Sequence, residues 1–153
     1  MLQANQKFPI FKLQDQWGNW HDNKSIQKGL HLFYFYPKNH TPGCTKQACL
    51  MRDDYSRWKQ AGIHVYGVST DEVSSHQTFM GDYQLPFILL SDINHHLSKS
   101  CKIWGIQQFR DIRYEGVERC TFLVQNGLIV HSKKVTQIEQ HWTSMWHSVQ
   151  GFL

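Results

Sequence analysis

The segment Leu30-His31-Leu32-Phe33-Tyr34-Phe35-Tyr36, stopped by Pro37, constrains the fold of this chain more than any other. All of it except His31 is apolar or aromatic, so it has no polar face to turn towards water. A strand of this kind belongs in the middle of a sheet covered on both sides, as in α/β proteins, and not in a half-exposed antiparallel sheet. Pro37 ends it, because proline has no N–H with which to continue a ladder.

The segments that follow fit that frame. Thr45 to Gln60 has helical composition, with Ala48, Met51, Tyr55 and Trp58 on one face at three- and four-residue spacing and Gly62 as a stop. Ile63 to Val68 reads as a strand. Glu72 to Tyr83 reads as a helix with Val73, His76, Phe79 and Met80 on one side. Phe87 to Leu90 reads as a short strand after Pro86, and His95 to Lys102 as a helix. Cys120 to Val124 and Leu128 to Lys134 read as strands joined by Gln125-Asn126-Gly127, since Asn-Gly favours a tight hairpin turn. Gln137 to Val149 closes as a helix, with Ile138, Trp142, Met145 and Val149 on one face. Upstream, Phe8 to Leu13 ends at the turn-like Asp15-Gln16-Trp17-Gly18 and reads as a strand or hairpin arm. This order predicts an α/β sandwich with a central mixed β-sheet flanked by helices. Its last antiparallel hairpin plus helix is what a thioredoxin-like fold requires.

The chain has 153 residues, which suits one domain spanning 1–153 better than two. With 41% hydrophobic and 14% aromatic residues it can bury a sizeable core, which excludes a disordered chain. The net charge of +4 is scattered, with Lys133-Lys134 the only adjacent basic pair, so neither a nucleic-acid nor a membrane partner is expected. The N-terminal residues lack the apolar stretch of a secretory signal, and no run approaches the ~18 residues of a membrane span. The expected location is the cytoplasm. In a reducing compartment the four cysteines Cys44, Cys49, Cys101 and Cys120 are expected to be catalytic, metal-bound or buried rather than permanently paired.

Cys44 follows the buried strand and a short loop and opens a helix. The N-terminus of a helix presents unpaired N–H groups and the positive end of the macrodipole, which favours a thiolate over a thiol. That matters because an ordinary thiol, with a pKa of ~8.5, is only a few per cent ionised at neutral pH. Pro42 and Gly43 tighten the turn, and the N–H groups of Gly43 and Cys44 are candidate donors to a small oxyanion. The Thr41 hydroxyl, three residues back, is expected to contact both the sulfur and an oxygen of a ligand bound there.

Pro37-x-x-x-Thr41-x-x-Cys44 resembles the active-site signature of the peroxiredoxins. Phe35-Tyr36-Pro37, Thr41-Pro42-Gly43-Cys44-Thr45 and Ala48-Cys49 are similar to the bacterioferritin-comigratory-protein (PrxQ) subgroup. The likeness continues through Gly67-Val68-Ser69 with Asp71, Ser75-His76 with Phe79, Leu85-Pro86-Phe87 and Leu89-Leu90-Ser91-Asp92, to Arg119-x-Thr121-Phe122-Leu123-Val124 and Gly127. The resemblance implies reduction of hydrogen peroxide and organic hydroperoxides through a Cys44 sulfenic acid. It assigns catalysis to Cys44, Thr41, Arg119 and Pro37, and peroxide binding to Gly43, Cys44, Thr41 and Arg119. It implies no cofactor or metal, and a thioredoxin or glutaredoxin reductant acting on a monomer. By itself Arg119 reads as the ion-pair partner of Glu118, but a guanidinium can also hold a thiolate and a peroxide at any working pH. Gln47 departs from the Glu that many members carry.

Cys49 has the spacing of the subgroup's resolving cysteine, which attacks the sulfenic acid to give an intramolecular disulfide. Five helical steps separate the two Cα atoms by about 8.6 Å, beyond the ~7 Å that a disulfide tolerates. The bond therefore requires the first turns of the helix to unwind. Cys101 and Cys120 read as buried small hydrophobes. A thioredoxin-type dithiol oxidoreductase is disfavoured by the absence of Cys-x-x-Cys and of any proline after Pro86. A metal site from His40, Cys44, Cys49 and a further His would need a ligand spacing that the sequence does not show. A non-enzymatic redox-sensing module is the remaining alternative.

Overall fold

A computed structural model describes residues 1–153. The predicted buried strand is β3 (Leu30–Phe35), and each of its residues is buried. It lies inside a seven-stranded sheet of order β2-β1-β5-β4-β3-β8-β9. Here β1 is Lys12–Gln14, β2 Trp20–Asp22, β4 Ile63–Ser69, β5 Ile88–Ser91, β8 Cys120–Gln125 and β9 Leu128–Lys134. β3 pairs parallel with β4 and antiparallel with β8, so the sheet is mixed, as expected of a thioredoxin-like fold. The helices are α1 (Pro42–Gln60), α2 (Val73–Tyr83), α3 (His96–Ser100) and α4 (Ile138–Val149). None is long and apolar enough to cross a membrane.

Successive side chains of β3 point to opposite sides of the sheet and enter two different cores. Leu32, Tyr34 and Tyr36 join residues of α1, α2 and α4. Phe33 and Phe35 join Phe8 and Phe11 of the N-terminal segment, Leu97 of α3, and Cys101 and Cys120. Trp58 of α1 is fully buried against α4, its ring 6.4 Å from that of Trp142 and 5.1 Å from that of Trp146. Truncating so large a side chain to alanine would cost about 3–5 kcal/mol.

Three elements differ from expectation. The helix after β3 starts at Pro42, three residues before the predicted Thr45, because proline fits the first helical position, where an N–H would have no partner. The first strand is Lys12–Gln14 and not Phe8–Leu13; Phe8 and Phe11 serve instead as core anchors, and β1 turns through Asp15 into β2. A separate two-stranded ribbon, β6 (Trp104–Phe109) and β7 (Ile112–Val117), has no counterpart in the sequence reading. The β8–β9 turn is as predicted, with Asn126 at φ 51° and Gly127 at φ 83°, the left-handed pair such a hairpin needs.

Candidate active site

Cys44 is the third residue of α1. Thr41 holds the cap position with extended backbone, and the first intrahelical bond runs from Thr45 N–H to the Thr41 carbonyl at 2.9 Å. The N–H groups of Gly43 and Cys44 precede that bond, have no helical partner and stand at the positive end of the helix. The Cys44 side chain is 1% exposed.

Arg119, between β7 and β8, completes the arrangement from across the sequence. Its Nη2 donates to Cys44 Sγ at 3.3 Å and its Nη1 to Gln47 Oε1 at 2.7 Å. Gln47 lies one turn beyond Cys44, is fully buried, and accepts at its backbone carbonyl from Trp142 Nε1 of α4 at 2.9 Å. Arg119 has no carboxylate partner, since the neighbouring Glu118 pairs with Lys134 Nζ at 3.0 Å. The guanidinium charge is therefore directed at the sulfur. Gly43 leaves room for it: a Cβ there would stand 3.4 Å from Arg119 Nη2 and 3.2 Å from Ile138 Cδ1. The other ionisable groups around the sulfur are the Tyr34 and Tyr36 phenols, which burial pushes well above their ordinary range, with Cys44 adding to the effect. Both stay uncharged.

Pro37, Thr41, Gly43 and Arg119 line one cavity of about 760 Å³, whose opposite wall includes Phe109, Ile112 and Tyr114 of the ribbon. Of the residues expected for this pocket, Cys44 is not in the lining: it is buried, in contact with the lining residue Arg119. One contact differs: the Thr41 hydroxyl does not bond to the sulfur but turns back to donate to the Lys38 carbonyl at 2.8 Å. With its hydrogen committed there, it can only accept from a ligand in the cavity.

Cys49 sits on the same unbroken helix, and both it and Cys44 are free thiols. Cys101 and Cys120 are fully buried in the opposite core, and burial pushes both thiols far up. His40 is turned away to Asp82, at 3.0 Å, and no group of three or more His, Cys, Asp or Glu side chains is arranged to hold a metal ion. Nothing in the sequence signals the ribbon wall of the cavity or the buried loop residue Asn39, and Gln47 stands out there only as a departure from the family's Glu, not as the residue that holds Arg119. A polar residue within a helix period of Cys44 was the available signal for Gln47.

A thioredoxin-like sheet, a Pro-x-x-x-Thr-x-x-Cys loop and an arginine on the cysteine sulfur define the peroxiredoxin class. The AhpC/TSA family model matches residues 4–132, and the chain belongs to that family. Within it the chain is similar to the Bcp and Q proteins. Peroxiredoxin Bcp of Escherichia coli is 40% identical over 131 residues, 85% of this chain and 84% of that protein. Chloroplastic peroxiredoxin Q of Arabidopsis thaliana is 44% identical over 105 residues, 69% of this chain and 47% of that protein. A solved PrxQ mutant from Xylella fastidiosa superposes with a TM-score of 0.90 at 22% identity, covering 99% of this chain and 98% of that one, which shows the shared fold.

Proposed function

We propose that this peroxiredoxin reduces hydrogen peroxide and organic hydroperoxides at Cys44, and that Cys49 resolves the product for a thioredoxin or glutaredoxin reductant in the cytoplasm. The observation that carries the reading is the Arg119 guanidinium 3.3 Å from a cysteine sulfur at a helix N-terminus, beside an open cavity. The Cys44 thiolate attacks one peroxide oxygen to form the S–O bond of the sulfenic acid, the O–O bond breaks, and the departing oxygen takes a proton from solvent to leave as water or an alcohol. Arg119 and the free N–H groups of Gly43 and Cys44 stabilise charge on that oxygen, an effect worth about 10²-fold or more per donor. Thr41, with its hydrogen donated to the Lys38 carbonyl, accepts a hydrogen bond from the peroxide O–H and orients the O–O bond, while Pro37 excludes water. The cavity is far larger than hydrogen peroxide needs, and its ribbon lining sets Trp104, Phe109, Ile112, Tyr114 and Val117 beside the charged Arg110 and Glu115, which supports organic hydroperoxides as substrates.

The Cys44 sulfenic acid is then attacked by the Cys49 thiol, giving a disulfide and water. On an unbroken helix the two Cα atoms stand about 8.6 Å apart, so turnover includes unwinding of roughly residues 41–53. Mass spectrometry after one equivalent of peroxide tests the scheme: wild type gives a Cys44–Cys49 disulfide, Cys49→Ser a lasting sulfenic acid, and Cys44→Ser neither. Peroxide consumption that survives Cys44→Ser overturns the reading. Hydrogen exchange at residues 41–53 that is equal in reduced and oxidised protein overturns the unwinding step.

A further inference from the structure

The loop between β3 and α1 carries Pro37 and Thr41, yet its middle is fastened to α2. Asn39 is 4% exposed, unusual for an amide in a loop, and every polar group of its side chain is engaged. Its Oδ1 accepts from the Tyr36 hydroxyl at 2.6 Å, and its Nδ2 donates to Ser75 Oγ at 3.1 Å and to His76 Nδ1 at 2.9 Å. Its backbone N–H donates to Asp71 Oδ2 at 2.9 Å, and Ser69 Oγ donates to the same oxygen at 2.6 Å. His76 is fully buried, and its Nε2 lies 3.0 Å from the Leu90 carbonyl. A carbonyl only accepts, so Nε2 carries the ring hydrogen and Nδ1 offers the lone pair that Asn39 requires. The network ties the ends of β3, β4 and β5 to a point two residues after Pro37 and two before Thr41.

We propose that Asn39, held by neutral His76, is a positioning residue for the peroxide step, setting Thr41 and Pro37 against Cys44 without touching the substrate. This rests on Cys44 being the residue that peroxide oxidises. Burial keeps His76 down at about 4, against the opposing influence of Asp71 and of the Leu90 carbonyl, so near neutrality it remains the acceptor. The groups facing it are Asp71 before α2, Ser69 of β4, the Leu90 carbonyl of β5 and, across Asn39, the Tyr36 hydroxyl; Asp71 is the only acid among them. Protonated His76 would set N–H against N–H and release the loop.

The test is single-turnover oxidation of Cys44 by hydrogen peroxide between about pH 5 and pH 8, with iodoacetamide labelling of Cys44 as the control for a thiolate that needs no peroxide pocket. Asn39→Ala is expected to oxidise about ten- to a hundredfold more slowly than wild type, with the labelling rate within about twofold. Asn39→Asp replaces the donor by an acceptor, so it mismatches neutral His76 and matches the protonated ring. Its oxidation rate relative to wild type is expected to climb as pH falls. Oxidation of Asn39→Ala at the wild-type rate, or a pH-independent ratio for Asn39→Asp, overturns the proposal. Failure of wild-type Cys44 to react with peroxide would instead overturn the functional reading beneath it.

Discussion

Cys44 lies on one side of the central sheet and Cys101 and Cys120 on the other, and all three are nearly equally buried, at 1%, 0% and 0% exposure. Their surroundings are opposite. Cys44 has Arg119 on its sulfur and two free backbone N–H groups beneath it. Cys101 and Cys120 sit among Phe35, Leu97 and Val117, where burial disfavours their thiolates. Burial therefore says little about whether a thiol can react. What decides is whether charge and unpaired donors have been brought to it.

Removing the cation is the strongest way to break this contrast. Arg119→Met keeps the apolar stem and loses every donor, and the second-order rate with hydrogen peroxide is expected to fall about 10²- to 10³-fold in stopped-flow measurements. In native protein iodoacetamide is expected to label Cys44 before Cys101 or Cys120. Comparable labelling of all three would show that the two sides do not differ.

Acid sharpens the comparison with a smaller effect. His76 and His141 both adjoin the Cys44 side, and burial is the first cause holding each down at about 4; Lys133, Arg119 and His131 also lower His141. Unfolded, each would titrate near 6.5. Between those values the unfolded chain binds protons that the folded chain refuses, so stability is intact above about pH 6.5 and declines as pH falls towards 4. The loss is up to about 3 kcal/mol for each ring, measurable as a fall in the denaturant midpoint between neutral and acid pH. His31, beside the other core, is shifted the same way, mainly by burial. Hydrogen exchange in mild acid is expected to rise first around α2 and α4.

The smallest effect is a dissociation of stability from activity. Cys120→Ser buries a hydroxyl among apolar side chains and costs about 1–3 kcal/mol in denaturant titrations, with the peroxide rate unchanged. Cys44→Ser is expected to do the reverse.

The parts of the molecule that were legible in sequence are those where one physical requirement dominates. A seven-residue run that is apolar or aromatic except for His31 and is ended by proline makes a central strand, and Asn126-Gly127 supplies two left-handed residues in a row. Cys44 and Thr41 could be argued from their place at a helix start, whereas the roles of Pro37 and Arg119 came only from the resemblance. The ribbon was not legible, because Ile106, Phe109 and Ile112 are all exposed and give no buried face for a period to reveal. Its turn at Arg110, φ 56°, also lacks the usual glycine or asparagine. Asn39 escaped for a different reason, since a polar side chain in a loop reads as solvent-facing; Gln47 stood out only as a departure from the family's Glu, and the tertiary structure shows that each is buried with a specific partner.

The bond from the Trp142 indole to the Gln47 carbonyl has an optical consequence. Gln47 lies between Cys44 and Cys49, so any unwinding that joins the two sulfurs breaks this 2.9 Å contact and changes the polarity around a buried indole. The chain thus carries a built-in fluorophore wired to the turn proposed to unwind. Its emission is expected to shift to the red when peroxide is added and to return on reduction, while Trp142→Phe leaves the chemistry running and silences most of the signal.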